Sequence, residues 1–353
     1  MTATAPADSG EATGGFGITR SSPDATAGTW VALVVVALLA VLPFVGGDST
    51  QRTLVGILTY LSLAQMWNLL AGFAGLITIG QQAFVGVGAY TLLVTAERNG
   101  IDPFLSIVAA GLLCAVLSAP VALFAFRLRG GYFAIGTWVI AEVFRLIALE
   151  IGPLEAGNVQ SLTRRNALSG YEIDQLRDLI YWSSLALAAG ATLVVVLVLR
   201  SRLGLALRAV RDDEAGARGL GIDVTRTRLI VWMLASGWIG MTGALIHLNS
   251  QSINAPDAFS VLLWTALVIF IVVIGGVGST TGPIIGVIVF WLVSDEITEW
   301  FDLDDPWRFI ILGSLAALFA VFAPRGIYGW LQSWRPLQFF PVRRRLVGPG
   351  LEE

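Results

Sequence analysis

Lysine is missing from this chain: all 22 basic residues are arginine. A phosphate-binding Walker A loop, which needs a lysine for the β- and γ-phosphates, is therefore excluded, as is Schiff-base chemistry. Cysteine occurs once, at Cys114, so no intrachain disulfide and no thiolate metal cluster can form. Histidine also occurs once, at His247, which removes multi-histidine zinc sites. Charge is scarce as well. Charged residues make up 13% of the 353, against about a quarter in a soluble domain. A surface this poor in charge needs lipid around it.

What remains is apolar. Hydrophobic residues account for 56% of the chain, and the mean hydropathy is +0.76. A membrane span takes about 20 mostly apolar residues to cross roughly 30 Å of hydrocarbon. About ten stretches qualify, at 29–45, 53–70, 82–96, 103–126, 131–150, 178–199, 229–248, 261–275, 283–294 and 309–323. The expected fold is all-α, a polytopic transmembrane helical bundle. Residues 1–28 read as a disordered cytoplasmic tail without the basic region of a signal peptide. Residues 29–323 read as one membrane domain and 324–353 as a second cytoplasmic tail.

Arginine is unevenly distributed. It gathers at Arg127 and Arg129, between Arg200 and Arg228, and in the tail at Arg325, Arg335 and Arg343 to Arg345, whereas acids dominate around Asp295, Glu296 and Glu299. The positive-inside rule assigns the arginine segments to the cytoplasm. Ten alternating spans with both termini inside satisfy all of these assignments. The stretches 152–177, 251–260 and 295–308 then face outward.

Three segments carry functional signals. The first is the cytoplasmic loop 200–228, where Leu203, Leu205, Leu207 and Val210 give a short helix an apolar side and Arg208, Arg211, Asp212 and Asp213 stay wet, with a break expected at Gly219 or Gly221. Such a helix either docks in a groove of a soluble partner or lies solvated at the headgroups. The second is a pair of glycine-broken stretches, one in each half. One runs from Gly75 through Gly80, Gln81, Gln82 and Gly86 to Tyr90, and the other from Gly275 through Gly278 and Ser279 to Gly286. Interrupted helices in corresponding halves point to a transport path, and the competing reading is close helix packing through glycine. The third is Tyr132, Gly136 and Thr137 followed by Glu142 and Arg145. The last two stand one turn apart and read as a structural ion pair. Cys114 reads as packing, and His247 is assigned no role.

These segments together resemble the LivM-type permeases of bacterial branched-chain amino acid ABC importers. The matching pieces are Gly75–Tyr90, Arg129–Thr137, Ala141–Leu146, Gly204–Asp223 and Gly275–Gly286, in the family's order. The chain departs from the family where members often carry Thr-Gly-Gly-x-x-Gly in an outer loop and it has Leu154 to Asn158, and where the usual Ser-Leu-Gly-Gln reads Thr78-Ile79-Gly80-Gln81.

The resemblance implies a permease in the bacterial inner membrane, paired with a LivH-type permease, two cytoplasmic ATPase subunits and an extracytoplasmic solute-binding protein. ATP would be bound by those partners, and this chain would carry no cofactor, no metal, no catalytic centre and no nucleic-acid site. The loop, with Arg208, Arg211, Asp212, Asp213, Glu214 and Gly221, becomes the expected ATPase-coupling element. Gly80, Gln81, Gln82, Gly86, Tyr132, Gly136, Thr137, Gly278 and Ser279 become the expected substrate path. Relatives within the family also import urea and short-chain amides. Two rivals from other classes are an ion-coupled secondary transporter, which needs buried acids beyond Glu142, and an intramembrane enzyme, which needs a catalytic constellation that a lone Glu142 and a lone His247 do not make.

Overall fold

The computed structural model describes residues 17–19, 23–44, 47–151, 158–163, 166–297, 305–322, 326–334 and 345–347. Every one of the ten apolar stretches falls on a helix. The helices are α1 (Pro23–Val41), α2 (Asp48–Asn68), α3 (Gln82–Leu92), α4 (Pro103–Ala125), α5 (Gly131–Glu150), α6 (Ile173–Arg200), α7 (Arg202–Asp212), α8 (Glu214–Gly219), α9 (Val224–Ser250), α10 (Ala255–Ala258), α11 (Leu267–Gly275), α12 (Gly282–Trp291), α13 (Asp305–Phe322) and α14 (Gly326–Trp334). Wide π turns extend α2 through Leu69–Phe73, α3 through Leu93–Arg98 and α12 through Leu292–Ile297, and another, Leu262–Ala266, precedes α11.

Among the described residues, six helical segments are long and apolar enough to cross a membrane: Asp48–Phe73, Pro103–Ala125, Gly131–Glu150, Ile173–Arg200, Val224–Ser250 and Ala255–Gly275. Shorter apolar helices occupy Gly28–Phe44 and Gly282–Ser294. Helices α2, α6 and α9 begin about a turn earlier than their apolar runs, because polar residues continue the helix past the hydrocarbon. Within the expected tails, 23–28 belong to α1, 326–334 form α14, and 17–19 and 345–347 are short strands; the rest of the tails lies outside the described residues, as do 152–157 and 164–165 of the outer stretch 152–177 and 298–304 of 295–308.

Helix α9 is the axis of the bundle, and its seam is made of glycine. Gly237, Gly240 and Gly243 recur every three residues along it. A Cβ at Gly243 would stand 2.5 Å from the Val85 carbonyl oxygen of α3, and one at Gly240 would overlap the Cys114 sulfur of α4. Across the same seam, a Cβ at Gly88 would strike the Gly240 carbonyl oxygen. Backbones approach this closely only where side chains are absent, which is how helices associate in lipid without a hydrophobic driving force. Trp232 anchors the other side of α9. It is 2% exposed, lies edge-on to Phe84, Phe126 and Phe133, and donates its indole N–H to the Ser118 oxygen at 3.0 Å.

By contrast α5 is thinly packed, with Tyr132, Ile135, Trp138, Val139, Val143 and Leu146 all exposed. On this helix Glu142 and Arg145 form a close pair, Arg145 Nε donating to both carboxylate oxygens at 2.9 and 3.0 Å. The ion pair expected from their spacing is formed.

At the end of the bundle away from α7, short strands pair between connecting segments. β2 (Gln160–Ser161) runs antiparallel to β3 (Ser252–Ile253). Glu97 gathers the same region, accepting from Thr163 N at 2.8 Å, Thr163 Oγ1 at 2.6 Å, Asn166 Nδ2 at 3.1 Å and Ala167 N at 3.3 Å. Asp102 caps α4 through the amides of Phe104 and Leu105, and its other oxygen accepts from the Tyr171 hydroxyl. The two tails also meet: β1 (Gly17–Thr19) pairs antiparallel with β4 (Arg345–Val347).

Candidate functional site

The two glycine-broken stretches, far apart in sequence, fold against one helix. After its π turn α2 stops, and residues 75–81 run without helix to α3. Gly75 takes φ +70°, a conformation costly for any residue with a side chain. The second break, 276–281, is the tight link between α11 and α12 and turns at Gly278 with φ +75°. Packing decides where the breaks sit: a Cβ at Gly72 would lie 2.5 Å from both the Gly278 nitrogen and the Asn68 Oδ1.

Side-chain amides of α2 serve the second break. Asn68, fully buried, accepts from the Gly278 N–H at 2.8 Å and donates from Nδ2 to the Ser279 oxygen at 2.8 Å. Gln65, one turn earlier, donates to the Thr280 oxygen at 3.1 Å, while its own Oε1 has no partner among the described residues. The first break is held likewise: Trp67 Nε1 donates to the Thr78 oxygen at 2.9 Å, and the Ile79 N–H donates to Thr137 Oγ1 at 3.1 Å. A buried backbone group without a partner costs a few kcal/mol, so two buried breaks in an apolar bundle require these donors and acceptors.

The expected path residues divide. Gly80, Gln81, Gln82, Gly86 and Thr137 are brought together and buried. Gln81 donates to the Trp264 oxygen, and Gln82 Oε1 accepts from Thr265 Oγ1 at 2.5 Å, so both amides grip the π turn before α11. Gly80 lies against the Thr137 backbone and Gly86 against the Phe259 ring, with no room for a methyl at either. Gly278 and Ser279 join through Asn68. Tyr132, 76% exposed, is not part of the cluster, and Gly136 sits half-exposed beside Leu128. Reading the glycine stretches alone overlooks Gln65, Asn68, Trp67, Trp264 and Thr265. Two amides one turn apart in an otherwise apolar span were the available signal.

The loop expected to couple to ATPase subunits forms two helices rather than one. The first break comes at Asp213, whose extended backbone (φ −152°, ψ 103°) ends α7 and whose carboxylate caps α8 through the Ala215 N–H at 3.0 Å. α8 does stop at Gly219, and Gly221 turns the chain toward α9 with φ +80°. Gly204, Leu207 and Val210 form the buried side of α7, while Leu205 is exposed, contrary to the apolar side read from the sequence. Helical spacing explains this: 204, 207 and 210 share a face that 205 leaves.

Val210, Ala217 and Val224 make a small core that holds α7, α8 and the start of α9 together. Glu214 ties α8 to α9, accepting from Arg218 at 2.7 Å and Arg228 at 3.0 Å. Partial burial pushes its carboxyl up, but the two guanidiniums outweigh that and hold it below its ordinary value. Asp212, Asp213 and Arg218 are exposed, Arg208 is half-buried, and Leu220 stands 81% exposed among them. Arg211 is not simply wet: besides pairing with Asp212 at 2.9 Å, it donates from Nη1 to the Gly72 oxygen at 2.8 Å. His247 is buried and bonds within its own helix to the Gly243 oxygen at 2.9 Å, and Cys114 is packing.

Residues 49–321 match the family model described as branched-chain amino acid transport system / permease component. The chain is 28% identical over 319 residues to the high-affinity branched-chain amino acid transport system permease protein LivM of Escherichia coli, covering 84% of this chain and 74% of that one. It is 28% identical over 320 residues to LivM of Salmonella typhimurium, covering 84% and 73%. A probable branched-chain amino acid transport permease protein LivH of Methanocaldococcus jannaschii is 26% identical over 162 residues, covering 42% and 49%. By sequence match and helical architecture, this chain belongs to the branched-chain amino acid permease family of ABC transport systems, and its likeness is to the LivM type.

Proposed function

We propose that this chain is one of two permease subunits of an importer for branched-chain amino acids in the bacterial inner membrane, driven by separate ATPase subunits that dock on α7 and α8. The observation that carries the proposal is the α7–α8 unit itself. It is a compact, capped pair of short helices whose outer side combines exposed charge with Leu205 and Leu220. A partner's groove would cover both leucines and face the surrounding charges. A LivH protein among the relatives fits pairing with a second permease.

The full topology in this reading is ten spans with both tails inside. Three observations support it. All ten stretches are helical, β1 and β4 pair the two tails on one side, and β2 with β3 joins two connections that the arginine rule assigns to the other. The solute would descend from a binding protein on the β2–β3 side and leave near the two breaks at the α7 end, passing Gln81 and Gln82 once rocking of the spans parts them from the π turn that they grip. Closure of the ATPases would move α7 and α8, and the spans would rock between outward- and inward-open states.

The test is solute-stimulated ATP hydrolysis by the assembled complex in nanodiscs. Leucine, isoleucine and valine should stimulate, while urea and short amides should not. Transport on an ion gradient with no ATPase subunit present would overturn the proposal.

A further inference from the structure

Arg211 hydrogen-bonds the coupling unit to the membrane breaks, beside the buried Leu207 that shares a core with Leu70, Phe73 and Leu76. Its stem crosses Gly75, the left-handed glycine that opens the first break, with Cγ 3.3 Å from where a Gly75 Cβ would stand. Its guanidinium then reaches Gly72 inside the π turn, with Nη1 3.8 Å from where a Gly278 Cβ would stand in the second break. The end of a helix leaves its last carbonyls without intrahelical partners. At the end of α2, the Leu69 and Leu70 oxygens are served by the amides of Ala74 and Leu76, and the Gly72 oxygen by Arg211. A cation at this position also meets the negative end of the α2 dipole. Asp212 grips the same guanidinium from the solvent side, so its direction is set by two acceptors. An arginine has the donor count and rigid fork for this, whereas a lysine does not.

We infer that Arg211 is a positioning residue that latches the coupling helices to both broken segments, so that displacement of α7 moves the end of α2 and, through Gly72, Gly278 and Asn68, the α11–α12 link. The inference rests on the proposed docking of ATPase subunits at α7 and α8 and adds the route by which that motion enters the membrane. Without the latch α7 still docks, because Arg211 contributes nothing to the Val210–Ala217–Val224 core, but its motion reaches the end of α2 only through apolar packing at Leu207 and not through a directed bond.

The experiment uses the complete complex in proteoliposomes, counting solute moved per ATP hydrolysed. Arg211→Ala should keep the ATPase subunits through purification and keep hydrolysing ATP, with solute per ATP falling about tenfold, the factor by which a hydrogen bond to a charged group shifts a conformational equilibrium. A covalent replacement provides the second arm. The Gly75 Cβ position lies 3.8 Å from the Arg211 Cβ, a separation that suits a disulfide. In a Cys114→Ser background, Gly75→Cys with Arg211→Cys should transport as poorly as Arg211→Ala when reduced. Oxidised with diamide, it should recover to within about threefold of a Gly75→Cys variant that keeps Arg211 and carries the same backbone strain.

An unchanged solute-to-ATP ratio in Arg211→Ala overturns the latch, and so does an oxidised pair no better than the reduced one. Loss of the ATPase subunits from Arg211→Ala would place the residue in the docking surface and overturn the latch as well. A parent complex with no solute-stimulated hydrolysis would instead count against the underlying importer reading, so the two failures are separable.

Discussion

Replacing Asn68 by alanine tests whether α2 holds the second break. The amide makes two bonds to backbone, to the Gly278 N–H and the Ser279 oxygen, both at 2.8 Å and with the side chain fully buried. Truncation leaves both backbone groups unserved in a dry site, and each such group costs about 1–3 kcal/mol. Interhelical hydrogen bonds in membrane proteins average only about 0.6 kcal/mol, because partners elsewhere often compensate. Here the groups are backbone in a tight link packed against Gly72, with little freedom to find another partner. The expected loss is therefore about 2–4 kcal/mol, read as a fall of roughly 3–5 °C in the unfolding midpoint of a chain of 353 residues.

The assay is thermal unfolding of the purified chain in nanodiscs, with Gln65→Ala beside it. Gln65 donates one longer bond at 3.1 Å and carries an unpaired oxygen, so its removal should cost under about 1 kcal/mol. Asn68→Asp keeps an acceptor for the Gly278 N–H but points a second oxygen at the Ser279 carbonyl, and should be no better than alanine. If Asn68→Ala loses less than about 0.5 kcal/mol, or no more than Gln65→Ala, then α2 does not hold the break and the reasoning fails.

The remaining predictions concern the seam, the topology and the loop. Gly88→Ala should destabilise by about 1–3 kcal/mol, because the new methyl meets the rigid Gly240 carbonyl; Gly131→Ala, which meets nothing within 4 Å, should be neutral or stabilising, and equal midpoints for the two would refute the close approach. In a Cys114→Ser background, Ala215→Cys at an exposed site of α8 should react with an impermeant maleimide in inside-out vesicles only; labelling on intact cells would reverse the assigned sides. Glu214 has its carboxyl pKa lowered, so its bridge from α8 to α9 stabilises above the ordinary value of 4.5 and is lost as pH falls through the depressed one. Glu214→Gln should mimic that loss at pH 7 by speeding amide exchange at Ala217 and Ile222, and unchanged exchange would show that the bridge holds nothing.

The helices were legible because lipid makes the rule simple: a long apolar run must close its hydrogen bonds within itself. All ten runs are helical for that reason, and the Glu142–Arg145 pair followed from spacing along one helix. Their ends were less legible, since capping residues such as Asp223 extend α9 beyond its apolar core. Partnerships between distant segments were not legible at all. Nothing local marks Asn68 as the residue that serves Gly278, or Arg211 as the one that reaches Gly72, because each depends on which helix lies alongside. Leu205 illustrates the same limit on a small scale. It was assigned by hydrophobicity to the inner side of α7, but the inner side is set by where Gly204 meets Leu199.

The glycine seam of α9 also constrains how the bundle moves. Side chains between helices act as a deformable layer that tolerates sliding by changing rotamer. Where backbone rests on backbone, as between Gly88 and Gly240 or Val85 and Gly243, that layer is absent and any shear meets hard-core repulsion at once. Helices α3, α4 and α9 would therefore tilt together as one slab, which leaves the sparsely packed α5 as the part of the bundle freest to move against it.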